Sequence, residues 1–229
     1  MTNTTPSLAD RVLASETLLL ALLRCASPER VRVAWTGGKD STVVLFLWKT
    51  VLEHRGLGPV RAISLDTGCK FPEILTFRDR LAAGWGVDLH VARPGPEAAA
   101  CPLARDAVEC CRLRKIEPLK RALAATGTSH LLTGLRRDEH PDRAGRRSLE
   151  PRLDPDHTLV NPILDWTESE VWAFHDRFGL DRCSLYDQGY RSLGCRPCTA
   201  PAGTDQDERA GRSQGKEAAL ATLTSLGYF

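Results

Sequence analysis

Thr36-Gly-Gly-Lys-Asp-Ser41 gathers two glycines, a cation and a hydroxyl in one short stretch. Gly37 and Gly38 let the backbone turn tightly and present N–H groups, and a helix starting behind them adds positive potential. Lys39 would bring a mobile cation to phosphate oxygens, and Ser41 a hydroxyl, with Asp40 between them. These residue types in this order make an anion site for a polyphosphate. The spacing is not that of a Walker A loop, which wants a glycine where Val33 stands, and G-x-G-x-x-G is absent.

The second constellation is made of cysteines, of which there are 8. Cys110 and Cys111 are adjacent, and Cys195-Arg-Pro-Cys198 follows much later. A C-x-x-C pair can grip one metal centre from a tight turn. Adjacent cysteines strain a single tetrahedral zinc, whereas in a larger cubane each thiolate can meet a different iron. Zinc and unliganded thiols are the alternatives. Cys69 sits beside Lys70 and near a helix start, both of which lower a thiol pKa, so it could carry sulfur; the alternative is a partly buried, inert thiol. Cys25, Cys101 and Cys183 read as fillers. Asp66 ends a strand-like run, where it could hold a ribose or Mg²⁺ or merely cap a turn. His140 and His157 read as surface histidines. The tryptophans at 35, 48, 166 and 172 suit core faces better than base stacking.

These residues need a scaffold, and the pattern supplies one. Short β-like runs (Val31–Trp35, Val60–Leu65, Val87–Val91, His130–Thr133) alternate with helical stretches (Asp40–Glu53, Pro72–Ala83, Cys111–Ala125). A further helix, Thr167–Phe178, opens with a Thr-Glu-Ser-Glu capping box, and residues 7–24 should form a helix packed outside this unit. Residues 93–106 and 138–158 read as loops. Alternation of this kind gives an α/β fold, a single doubly wound parallel sheet with right-handed crossovers. Ligands bind such sheets at the carboxyl ends of the strands, where the glycine loop falls. The organisation expected is an N-terminal helical segment (1–28), a nucleotide- and cluster-binding domain (29–200) and a C-terminal tail (201–229), polar as far as Lys216 and weakly helical after it.

Composition narrows the class. The chain has 229 residues, 42% of them hydrophobic, and a net charge of +2. That length buries roughly 70% of its unfolded surface, enough for a core without disulfides. A disordered polyelectrolyte is excluded. Nucleic acid is not indicated by the overall charge, although a local basic groove is compatible with it. No apolar run approaches the roughly 18 residues of a membrane span, and the early apolar run follows Glu16 and does not read as a secretory signal. The expectation is a cytoplasmic protein with reduced thiols.

Several blocks resemble a known group. Thr36–Ser41 resembles the pyrophosphate loop of the ATP-pyrophosphatase (adenine nucleotide alpha hydrolase-like) superfamily, normally written with Ser first. Cys-Cys followed by a distant Cys-x-x-Cys resembles the [4Fe-4S] motif of the adenylyl-sulfate and phosphoadenylyl-sulfate reductases within it. Cys110-Cys-Arg-Leu-Arg-Lys-Ile-Glu-Pro-Leu119, Asn161-Pro-Ile-Leu-Asp-Trp-Thr167, Leu185-Tyr-Asp-Gln-Gly-Tyr-Arg-Ser-Leu-Gly-Cys195 and Asp207-Glu-Arg-Ala-Gly-Arg212 resemble further family blocks. The resemblance implies a [4Fe-4S] cluster on Cys110, Cys111, Cys195 and Cys198, with Lys115 beside it. It also implies a nucleotide site on Thr36, Gly37, Gly38, Lys39, Asp40, Ser41, Asp66 and Gly134, and an oxyanion clamp of Arg136 and Arg137.

Two departures bear on the reaction. The reductases attack sulfur with a C-terminal cysteine in a Glu-Cys-Gly-Leu-His segment; the matching stretch here is Lys216-Glu-Ala-Ala-Leu220, and Ala218 has no lone pair to offer. The reductases usually carry a degenerate pyrophosphate loop, and this one is intact. The expectation drawn is an ATP pyrophosphatase using Mg²⁺·ATP that adenylylates an acceptor (sulfate or a nucleic-acid group) for sulfur transfer, working with a cysteine desulfurase as in DNA phosphorothioation. Alternatives are a reductase using another thiol and a non-catalytic nucleotide- and cluster-binding subunit. The resembled group also suggests a homo-oligomer.

Overall fold

The computed structural model describes residues 6–203 and 205–228, so the first five positions of the expected N-terminal segment and the last position of the tail lie outside it. Its centre is one six-stranded sheet in the order β3-β2-β1-β4-β6-β5, made of β1 (Val31–Ala34), β2 (Arg61–Leu65), β3 (Asp88–Ala92), β4 (His130–Leu132), β5 (Leu149–Leu153) and β6 (Asp156–Val160). Every neighbour pair is parallel except β5 on β6. The central strands are buried on both faces, and so read as near-continuous apolar runs: Val31, Val33, Leu131 and Leu132 are fully enclosed.

Helices α1 (Leu8–Leu22), α2 (Lys39–His54), α3 (Pro72–Trp85) and α6 (Glu168–Phe178) build one core with the sheet, centred on Trp35, Trp48, Phe77, Trp166 and Phe174. Helix α5 (Glu117–Ala125) covers the opposite face through Leu119, Ala122 and Leu123 against Ile63, Leu131 and Leu159. The capping box at Thr167 forms as expected, with Glu170 answering the Thr167 amide. Helix α1 is stitched to the sheet by Ser15, whose hydroxyl donates to the Pro162 carbonyl (2.7 Å) and accepts from Trp166 Nε1 (3.1 Å).

Two stretches differ from expectation. Residues 138–158 were expected as loop, but β5 and β6 form an antiparallel hairpin there. Pro151 hides β5 from a propensity reading, yet an edge strand tolerates a residue without an N–H. The helix expected over Cys111–Ala125 is α4 (Ala107–Cys111), a π-helical turn (Arg112–Ile116) and then α5. Pro118 cannot donate back into a regular helix, and the wider turn absorbs the missing bond. Lys115 stands on that turn.

Past β6, the chain runs through α6 to the C-x-x-C turn. The tail then returns through α7 (Gln214–Ala218) and α8 (Leu220–Ser225), and Leu223 docks on Cys111 and Ile116. Phe174 packs against Trp166, Phe178 and Phe46, with centroids 5.4, 4.4 and 5.8 Å away. Phe174→Ala should therefore cost about 3–5 kcal/mol in urea unfolding, whereas Leu153→Ala, at an exposed position, should stay within about 0.5 kcal/mol of wild type.

Candidate active site

The sheet order reverses between β1 and β4, and the glycine loop and Gly134 leave the carboxyl ends of those two strands. This is the switch-point crevice where such sheets bind ligands. Gly37 has φ +79°, a left-handed conformation that glycine adopts without strain. Gly134 is required for a second reason: a Cβ there would sit 2.8 Å from the Ser41 amide nitrogen and 2.9 Å from the Asp40 carbonyl carbon. The loop's donors are largely engaged within the chain. The Thr36 amide donates to Ser41 Oγ (3.2 Å), the Gly38 amide to Thr36 Oγ1 (3.3 Å) and the Lys39 amide to Tyr186 Oη (2.8 Å).

The cations are engaged as well. Lys39 Nζ is buried and donates to Glu208 Oε1 (2.5 Å) and the Arg191 carbonyl (2.9 Å), with Asp40 at 3.6 Å and Glu168 at 3.7 Å. Arg136 is fully enclosed and donates to Asp40 Oδ1 (2.6 Å) and Glu208 Oε2 (2.5 Å). Burial disfavours both cations, but the surrounding carboxylates outweigh it and hold both pKa values above their usual range. Burial pushes the Glu208 carboxyl up, against the pull of Lys39 and Arg136. Beside them Glu139 bridges Arg143 and Arg209, and Arg209 also grips Glu217 twice at 2.7 Å. Burial opposes the Glu139 carboxylate, yet the two arginines hold its pKa well below the ordinary range.

A second group of cations has no such partners. Lys70, Lys115, Arg212 and Lys216 have no carboxylate within ion-pair distance among the described residues. Burial and mutual repulsion push Lys70 and Lys216 down to about 8. Tyr228 lies among them. Lys216 Nζ donates to its hydroxyl (3.3 Å), and the ammonium groups of Lys115 and Lys216 stand 5.4 and 5.1 Å from its ring centre. Burial would raise the Tyr228 hydroxyl; Lys115, Lys216 and Arg212 overcome that and bring it to about 7. Arg212 donates to Thr199 Oγ1 (3.2 Å), and its buried Nε has no partner.

The four expected cluster cysteines gather at this end. Cys110, Cys111 and Cys198 line one cavity with Ser213, Lys216 and Ala219. Cys195 lies next to it, hydrogen-bonded to Thr67 Oγ1 (3.2 Å), and Lys115 feels the charge of both Cys111 and Cys195. Among the described residues no three Cys, His or carboxylate groups close on a single point. The donor set still fits a [4Fe-4S] cluster. Four thiolates would bring net negative charge, and the carboxylate-free cations surround the place where it would lie.

Some expected residues stand elsewhere. Arg137 does not pair with Arg136 as a clamp; it turns outward to Asp165 and the Arg146 carbonyl, because successive residues of an extended segment point to opposite sides. Asp66 accepts from the Gly68 amide (3.2 Å) and faces Arg93 at 3.5 Å. Of the two readings of Cys69, the structure matches the partly buried, unactivated thiol. Its hydrogen bond with Cys195, then burial, raises its pKa, and the proton withheld there helps bring Cys195 down to about 4. His157 is buried against the Pro155 carbonyl. Cys183 is a buried filler, whereas Cys25 is exposed. The site also includes Tyr186, Glu139, Glu208, Arg209, Arg212, Lys216 and Tyr228, which no single-residue motif marks; Arg143, one of the arginines of the stretch Leu135–Arg143 that could clamp an oxyanion, is instead paired with Glu139. The available signal was the block Asp207–Arg212, too densely charged for an idle tail.

A family model described as phosphoadenosine phosphosulfate reductase domain matches residues 30–201. An adenosine 5'-phosphosulfate reductase of Allochromatium vinosum is 34% identical over 221 residues, covering 90% of this chain and 84% of that protein. One from Pseudomonas aeruginosa is 36% identical over 204 residues, covering 81% and 72%. In fold the chain is similar to a phosphoadenylyl-sulfate reductase of Candida auris (TM-score 0.69, 20% identity, 82% of this chain and 90% of that one). It is also similar to an FMN adenylyltransferase of Candida glabrata (TM-score 0.71, 16% identity, 99% and 87%).

Gly134→Ala should lower stability by about 1–3 kcal/mol, read as a fall in Tm, because backbone would have to move. In metal-free protein, absorbance at 295 nm should show one tyrosine titrating near pH 7, and Tyr228→Phe should abolish it. The sign follows from a lowered folded-state pKa. The stabilisation is full above the free-phenol value of about 10 and disappears as pH falls through about 7.

Proposed function

The chain belongs to the phosphoadenosine phosphosulfate reductase domain family, and from that premise we propose that it binds adenylyl sulfate and passes its sulfonyl group to a thiol supplied by another molecule. The observation that carries this reading is the carboxylate-free set Lys115, Lys216 and Arg212 beside the nucleotide crevice. Buried cations crowded to the point of repelling one another are the complement of an oxyanion. The glycine loop and Gly134 would seat the nucleotide, and Arg212 and the two lysines would hold the sulfonate.

The thiol has to come from outside. Ala218 ends α7 on the surface, and no cysteine lines the crevice bounded by Thr36, Ser41, Gly134, Arg209 and Tyr228. An incoming thiolate would attack the sulfonyl sulfur; the S–O bond to AMP breaks and AMP leaves with its oxygen. A second thiolate then attacks the sulfonated sulfur of the first, giving a disulfide and sulfite. A dithiol protein is the natural class of partner. A [4Fe-4S] cluster on the four cysteines would supply a fixed charge array next to the sulfonate. Lys115, between Cys111 and Cys195, would couple the two sites.

One feature favours the ATP-pyrophosphatase reading, namely the intact loop with its lysine and serine. The two readings separate in one assay on anaerobically purified protein. Adenylyl sulfate plus thioredoxin should yield sulfite, Mg²⁺·ATP should yield no pyrophosphate, and Arg212→Ala should reduce sulfite formation by about 10²-fold. Pyrophosphate without sulfite would reverse the assignment.

A further inference from the structure

A triphosphate entering the glycine loop would meet a site already satisfied by the chain itself. Glu208 places one carboxylate oxygen on Lys39 Nζ and the other on Arg136 Nη2, each at 2.5 Å. A single anion thus bridges the two cations with two oxygens, as one edge of a phosphate would. Three loop amides are taken by Ser41, Thr36 and Tyr186.

The chain that carries Glu208 is anchored just beyond it. Arg209 next to it is clamped by Glu139 (2.6 Å) and Glu217 (2.7 Å). Beyond it the Ala200 amide donates to the Gly211 carbonyl (2.8 Å), and a Cβ on Gly211 would lie 2.1 Å from the Ala200 oxygen. These contacts fix the backbone that carries the carboxylate. The cations Lys115, Lys216 and Arg212 lie outside this bridge and have no carboxylate paired to them among the described residues.

We propose that Glu208 is a specificity residue, occupying the place of the β- and γ-phosphates so that the crevice accepts a nucleotide with a sulfonate on its α-phosphate and rejects inorganic pyrophosphate and ATP. Rejection follows from charge. An incoming pyrophosphate must break two charge-assisted bonds and lie against a buried carboxylate, and opposing like charges is how a site discriminates against a wrong partner. The inference rests on the sulfonucleotide reading and explains how an intact loop can coexist with it.

The test is calorimetric titration of the full-length, anaerobically loaded protein with inorganic pyrophosphate and, separately, adenylyl sulfate. Wild type should not bind pyrophosphate detectably. Glu208→Gln, which keeps shape and an acceptor but removes the charge, should strengthen pyrophosphate binding at least about tenfold, and the gain should vanish in Glu208→Gln with Lys39→Ala. Glu208→Asp, which keeps the charge one methylene shorter, provides a less disruptive variant and should show a smaller gain. Pyrophosphate binding to wild type that is lost in Lys39→Ala would overturn the inference, as would unchanged pyrophosphate binding in both Glu208 variants. Failure of wild type to bind adenylyl sulfate would instead sink the underlying reading, and the adenylyl sulfate titration reports that independently.

Discussion

One buried carboxylate organises this site. Lys39 and Arg136 lie in the interior with almost no exposure, and neither could remain there charged without a partner. Breaking a buried ion pair by removing one member typically costs about 3–5 kcal/mol, so the tail that carries Glu208 is tied to the sheet by more than packing. Because the two cations come from opposite sides of the switch point, one at the start of α2 and the other after β4, Glu208 locks together the loop, the crossover and the C-terminal region.

The charges divide into two halves with different purposes. Around Lys39, Arg136, Arg143 and Arg209 every cation meets a carboxylate, and the ensemble is a closed structural network. Around Lys70, Lys115, Arg212 and Lys216 the carboxylates are missing; Lys70 and Lys216 are destabilised as cations, while Tyr228, Cys195 and Cys111 hold Lys115 charged. Among the described residues the nearby compensation comes from Cys195, Cys111 and the Tyr228 hydroxyl. A negatively charged cluster and a sulfonate would both relieve that imbalance, and for this reason the carboxylate-free half, more than the glycine loop, supports the proposed reading.

Much of the fold was legible. The alternation of apolar runs and amphipathic stretches located four parallel strands and the main helices to within a few residues, because strands buried on both faces leave a strong signal. The hairpin β5–β6 was not legible, since Pro151 and the flanking charges erase its period. The glycine loop and the four cysteines stood out as residue types at telling spacings, whereas Gly134 entered only through the family resemblance. The pairing of Arg136 with Asp40 and Glu208 was not, because a contact across most of the chain leaves no local pattern. Arg137 shows the limit from the other side: the family resemblance implied a two-arginine clamp, and the extended backbone sends the second arginine outward. Ala218 did carry information, since a missing thiol can be read without coordinates, and no crevice cysteine replaces it.

In the proposed reaction the sulfonyl group goes directly to a thiol from outside the chain. The most direct measurement is a single turnover of adenylyl sulfate labelled in its sulfur, quenched before completion, with the label traced by intact mass and peptide mapping. Label is expected on the added dithiol protein and in sulfite, with none covalently bound to this chain. Label recovered as a sulfonated cysteine of this chain, Cys69 foremost, would contradict it.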